Sequence, residues 1–134
     1  MKNTYIGNTA EQIGKADNIS ASAAMSGLVD LQDHHGVVVV ILNSGGITDT
    51  DSGASPTATV KLQSSTDTTF GTAVDISGAA FTAISDSLAS IQTLALDLEA
   101  VAGRYLRAYT TIGTETNATA VLGCTALMPD KGWV

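Results

Sequence analysis

The chain has 134 residues, 44% of them hydrophobic but only 4% aromatic, and a formal net charge of −7. That length fits one domain with a single core, thinly filled by Ala and Val. Six Lys and Arg against thirteen Asp and Glu leave little positive charge to displace counterions from a phosphate backbone or to hold an anionic bilayer, so neither nucleic acid nor a membrane is expected as a partner.

The first residues, Met1 to Tyr5, lack an apolar signal core, and the expectation is a chain made and folded in a cytoplasm. Residues 1–19 are polar, with isolated apolar anchors at Tyr5, Ile6, Ile13 and Ile19 and no sustained period; they read as an N-terminal extended arm. Ser/Ala-rich sequence follows to Leu31, with room for a strand or two, and His34-His35-Gly36 makes a turn. Val37–Leu42 is the clearest element: five of its six residues are β-branched, and the unbroken apolar run predicts a central strand buried on both faces. At six residues it is far too short to span a bilayer as a helix.

Asn43-Ser44-Gly45-Gly46 reads as the end of that strand and the start of a long loop to Pro56. Ala58, Val60 and Leu62 alternate with Thr59, Lys61 and Gln63, which predicts a half-exposed strand. Short strands are expected near Thr72–Ile76 and Ala80–Ile84. Over Ile91–Leu98 the alternation of Leu94, Leu96 and Leu98 favours a strand, although a helix over 91–102 competes on propensity. Arg104–Ile112 and Ala118–Leu127 are the last two strands, the second carrying Cys124 as a buried, inert thiol; as the only cysteine it excludes an intrachain disulfide. Met128–Val134 is a tail bearing the only Trp, Trp133. The expected fold is all-β, an antiparallel β-sandwich or jelly-roll-like barrel of about eight short strands. A β-sandwich domain over residues 20–127 is flanked by extended terminal arms, 1–19 and 128–134.

Catalytic and metal motifs do not assemble in the sequence. Asp49-Thr50-Asp51-Ser52-Gly53 begins like a calcium loop, but the twelfth position, which needs Glu, is Val60. His34 and His35 are adjacent, so on a strand they point to opposite faces and do not share a metal. Neither a Gly-x-Ser-x-Gly elbow nor a phosphate-binding Gly-x-x-x-x-Gly-Lys loop occurs. The expectation is a non-enzyme without cofactor or metal.

Two stretches carry a family resemblance. Thr59–Asp75 resembles a strand–turn–strand segment of small virion proteins of tailed bacteriophages, and Leu96–Tyr109, with Gly103-Arg104-Tyr105-Leu106-Arg107 at its centre, is similar to a strand of the same kind of protein. Together they cover roughly a quarter of the chain. The resemblance implies a capsid-associated role, foremost a head decoration (cement) protein on the outer surface of the virion, bound to the major capsid protein and self-associated, often as a trimer. The candidate interface is then Arg104, Tyr105, Arg107 and Tyr109, since Arg and Tyr are enriched at interface hot spots, with Tyr5, Ile6, Ile13 and Trp133 from the arms. A tail or baseplate component, or a carbohydrate-binding β-sandwich module, is the alternative.

Overall fold

A computed structural model describes residues 9–50, 55–113 and 117–129. Tyr5, Ile6, Trp133 and the Asp51–Gly53 part of the calcium-like segment lie outside the described residues. The described chain forms β1 (Thr9–Ile19), β2 (Ala23–Ala24), β3 (Val29–Asp30), β4 (Val37–Asp49), β5 (Ala58–Ser65), β6 (Val74–Ala80), β7 (Ser90–Asp97), β8 (Tyr105–Ile112) and β9 (Ala118–Met128), with one 3-10 turn at Leu98–Ala100. The strands make two antiparallel sheets that face each other as a sandwich. One runs β1-β9-β4-β7; the other runs β2-β8-β5-β6, with β3 also on β8. Neither sheet closes on itself, so the architecture is the sandwich and not the barrel.

Alternation of side chains across each strand builds the core. Val38, Val40 and Leu42 of β4 meet Leu122, Cys124 and Ala126 of β9 on one inner face; Val60, Leu62, Leu106 and Ala108 supply the other. β4 is central, paired to β7 on one side and β9 on the other. Within one chain only one of its faces is fully packed; the cover expected over the second, from elsewhere in the chain or from a neighbouring subunit, is incomplete here. Val37 is 54% exposed and Val39 and Ile41 are half-buried, while Val38, Val40 and Leu42 are sealed. A continuous β-branched run looks the same whether its second face is fully or partly covered.

The strand also runs on past Leu42 to Asp49, through the segment read as a loop. The register against β9 shifts between Ser44 and Gly46, the mark of a β-bulge. Gly46 takes φ +91°, and a Cβ there would lie 2.5 Å from the Ser87 carbonyl carbon. Its amide donates to Ser44 Oγ at 2.9 Å, and the next amide, Ile47, to the Asp86 carbonyl at 2.7 Å. The glycine pair bends the strand without ending it.

At the N-terminus the expected arm divides. Thr9–Ile19 is an edge strand paired with β9 along its length, and Ile13 is fully buried in the core. Ile13 is therefore not an interface residue on this chain's surface. Its isolated position in polar sequence hid this, because β1 is bulged between Gln12 and Asp17 and seals only Ile13 fully inside, with Ile19 partly buried against the core. At the other end Met128 belongs to β9 and is buried, and the His34 ring donates from Nδ1 to the Pro129 carbonyl at 2.6 Å. The segments expected near Thr72–Ile76 and Ala80–Ile84 become the single strand β6, after which Phe81 and Ile84 hydrogen-bond to Val60 and Ala58 of β5.

Candidate functional site

The two stretches that carried the resemblance, separated in sequence, come together on the outward face of the β8–β5–β6 sheet. Register brings them there: Lys61 pairs with Tyr109, Gln63 with Arg107 and Ser65 with Tyr105. In β8 the even residues Leu106, Ala108 and Thr110 point into the core, which turns Tyr105, Arg107 and Tyr109 outward as one half-buried row. Gly103, just before this strand, lies against the Ser65 backbone, where a Cβ would come within 2.6 Å of the Ser65 amide nitrogen. Only glycine permits that approach, so the residue ahead of Arg104 sets how closely the two stretches join.

Arg107 is the centre of the site. Its Nε donates to Gln63 Oε1 at 2.9 Å, and its guanidinium lies 4.4 Å from the ring centre of Phe70 and 5.7 Å from that of Tyr109. Gln63 in turn donates through Nε2 to Asp75 Oδ1 at 2.7 Å, and Lys61 Nζ reaches Asp75 Oδ2 at 2.6 Å. The hydrogen bond from Lys61, then that from Gln63, holds the Asp75 carboxyl below its ordinary range. Lys61 also sits 5.7 Å from the Tyr109 ring centre. The result is a continuous chain of groups, Lys61–Asp75–Gln63–Arg107, laid across the aromatic rings.

Phe70 reaches this position through a constrained loop. It has φ 56°, a left-handed conformation rare for a bulky residue and costly by about 1–2 kcal/mol. Asp67 organises the turn: Oδ1 accepts from Thr69 Oγ1 at 2.6 Å and from the Gly71 amide at 3.2 Å, and Oδ2 accepts from Thr72 Oγ1 at 3.1 Å. The Thr69 hydrogen bond foremost, with those of Gly71 and Thr72, lowers the Asp67 carboxyl to about 2.

The four interface candidates on β8 and its approach thus separate into two kinds. Arg104 forms a fork-to-fork pair with Asp30, Nε to Oδ1 at 2.9 Å and Nη2 to Oδ2 at 2.7 Å, and lies 5.1 Å from the Tyr105 ring centre. Its charge is answered within the fold, where it clips β3 to β8. Among the described residues Arg107 meets no carboxylate; its one hydrogen bond there is to the neutral Gln63, through Nε, which leaves both terminal nitrogens without a hydrogen-bond partner in that set. Tyr105 and Tyr109 flank it. The sequence reading missed Phe70, Gln63, Lys61, Asp67 and Asp75. The wet-face alternation of Lys61 and Gln63 was visible, but their meeting with Arg107 depends on a long-range register.

The other candidate chemistry does not converge. His34 turns to the Pro129 carbonyl while His35 lies 3.5 Å from Glu99, and among the described residues no group of three metal-ligating side chains gathers. Cys124 is buried in β9, and burial pushes its thiol up to about 12. No described helix is long and apolar enough to cross a membrane. In comparisons with known proteins the chain matches no family model and no curated sequence.

Proposed function

We propose that this chain is a structural virion protein, a head decoration protein of a tailed bacteriophage that binds the outer capsid and braces contacts between major capsid subunits. The outward face of β8–β5–β6 is its docking surface. The observation that carries the reading is Arg107. Its guanidinium is stacked on Phe70 and fixed through Nε by Gln63, and no hydrogen bond within the described residues uses either terminal nitrogen. A guanidinium already ordered loses little further freedom on binding, and its fork matches a carboxylate or a pair of carbonyls. In a chain of net charge −7 such a spot favours an acidic protein surface. A sugar platform fits less well, because the Tyr109 ring is flanked by Lys61 and Arg107 instead of lying open.

The test is cosedimentation of the purified chain with empty expanded heads, and separately with tails, of the cognate phage. The expected result is saturable binding to heads, weakened about thirtyfold by Arg107→Ala, the loss of about 2 kcal/mol typical of a hot-spot residue. Arg107→Lys keeps the charge but not the fork and falls between. Binding to tails alone supports the tail-component reading. Binding to neither, or head binding indifferent to Arg107→Ala, refutes the assignment.

A further inference from the structure

Arg104 and Arg107, near neighbours in sequence, are held in opposite ways. Arg104 meets a carboxylate of its own chain, whereas Arg107 is held by an amide, with an acid one residue further off. β5 is the middle strand here, and register sets Gln63 between Arg107 on β8 and Asp75 on β6. Strands two apart in a sheet are separated by about 10 Å, so the side chain of Gln63 is what links the two. Gln63 is 9% exposed, and its amide finds its partners in the fold and not in water. Both ends fix that amide the same way round. The Asp75 carboxyl, kept ionised by Lys61 foremost and then by Gln63, only accepts, and Arg107 Nε only donates. The amide nitrogen therefore faces Asp75 and the amide oxygen faces Arg107. Flipped, the amide would set oxygen against carboxylate and N–H against N–H. Lys61 takes the other Asp75 oxygen, which keeps the acid on its own side of Gln63.

We infer, on the reading of this face as the capsid-docking surface, that Gln63 is its specificity-determining residue: an uncharged amide, turned by Asp75, that orients the Arg107 guanidinium without cancelling its charge and so reserves it for a carboxylate of the partner. An amide oxygen and a carboxylate oxygen can hold Nε in the same place. Only the first leaves the positive charge whole. A carboxylate of the same length at this position would answer the guanidinium within the fold, as Asp30 answers Arg104. A second acid arriving from outside would then meet a neutral pair and its like charge. With the amide in place, an incoming carboxylate, planar and able to take two parallel hydrogen bonds, is favoured over a neutral carbonyl. Gln63 and Asp75 are positioning residues in this scheme, and Arg107 is the group that touches the partner.

Exchanging the acid and the amide tests this. Gln63→Glu combined with Asp75→Asn keeps the net charge of −7 and lets each hydrogen bond from Lys61 to Arg107 persist, the new amide donating to the new carboxylate and accepting from Lys61. Only the place of the negative charge changes. The first readout needs no partner: labelling of the free chain with an arginine-directed dicarbonyl, followed by peptide mapping. Arg107 labels severalfold more slowly in the exchange variant, because a guanidinium beside a carboxylate gives up its proton less readily. Arg104, whose pair with Asp30 is untouched, is the unchanged reference. The second readout is cosedimentation with empty expanded heads, which the exchange variant binds about tenfold or more weakly than the native chain, with the native circular dichroism retained. A merely structural Gln63 would leave both readouts where they were. Unchanged labelling of Arg107, an exchange variant that does not fold, or one that binds heads like the native chain while Arg107→Ala binds weakly, overturns the inference and leaves the docking surface standing. A native chain that binds no heads defeats the docking reading instead, and with it the partner's carboxylate, while the labelling still decides whether Gln63 keeps the charge of Arg107 free.

Discussion

Val39 and Val40 are neighbours in sequence with opposite fates, and Asp at each position measures how the sandwich divides inside from outside. Val40 is fully buried, between Ala126 of β9 and Leu94 of β7. Replacing it removes an apolar side chain whose burial stabilises by about 1.5–3 kcal/mol. It also places a carboxyl where no partner waits, adding several kcal/mol even if the group protonates. The sum, about 5 kcal/mol or more, matches the whole stability of a small domain. Val40→Asp is therefore expected to have no folded baseline. Val39 points outward and is half-buried between Leu127 and Ala95. Val39→Asp forfeits part of one side chain's burial and some strand propensity, about 1 kcal/mol. With a urea slope of about 2 kcal/mol/M, its midpoint falls by about 0.5 M. Urea titrations followed by far-ultraviolet circular dichroism, at a concentration low enough to exclude association, separate the two cases. If Val39→Asp unfolds as completely as Val40→Asp, the outer face of β4 is packed in the monomer and the assignment of faces fails.

Asp67, lowered from 3.8 to about 2, contributes stability that is present above about pH 4 and lost as pH falls toward 2, because the folded state holds the carboxylate that the unfolded chain gives up. The gap in melting temperature between the native chain and Asp67→Asn should close over that window, and a gap constant with pH would remove Asp67 as the organiser of the Phe70 loop. Cys124, its thiol raised to about 12 by burial, should resist a disulfide reagent at pH 8 in the folded chain and react once urea unfolds it. Equal rates in the two states would mean that β9 does not shield it.

Much of the fold was legible because burial and alternation coincide where one face is wet. Ala58–Leu62 and the Leu94–Leu96–Leu98 series announced their inner faces, whereas Arg104, Tyr105, Arg107 and Tyr109 were picked out together with no face assigned, and the pairing with β5 separates them. The failures arose where composition is indifferent to geometry. The run Val37–Leu42 carries no mark of which face is open, and Gly45-Gly46 reads alike as a stop or as a bulge until the pairing with β9 and the contact at Ser87 are known. β1 escaped notice because, with two register shifts, this edge strand seals only Ile13 fully inside and packs Ile19 partly against the core, which is no alternating pattern. The candidate site was half readable for the same reason. Its outward Arg and Tyr lie on one strand, whereas Gln63, Asp75 and Phe70 join them only through register and a left-handed turn.

Register also explains why the two outer faces differ. In β5 and β8 the outward positions alternate charged, amide and aromatic groups that satisfy one another across strands, leaving Arg107's fork over. In β4 and β9 the outward positions are mostly Val, Ile, Leu and Thr, with Asn43 and Gly123 among them, and most are only partly covered. The half-buried part of that second face adds a little to a solitary domain, while the apolar area it leaves in water contributes no stability.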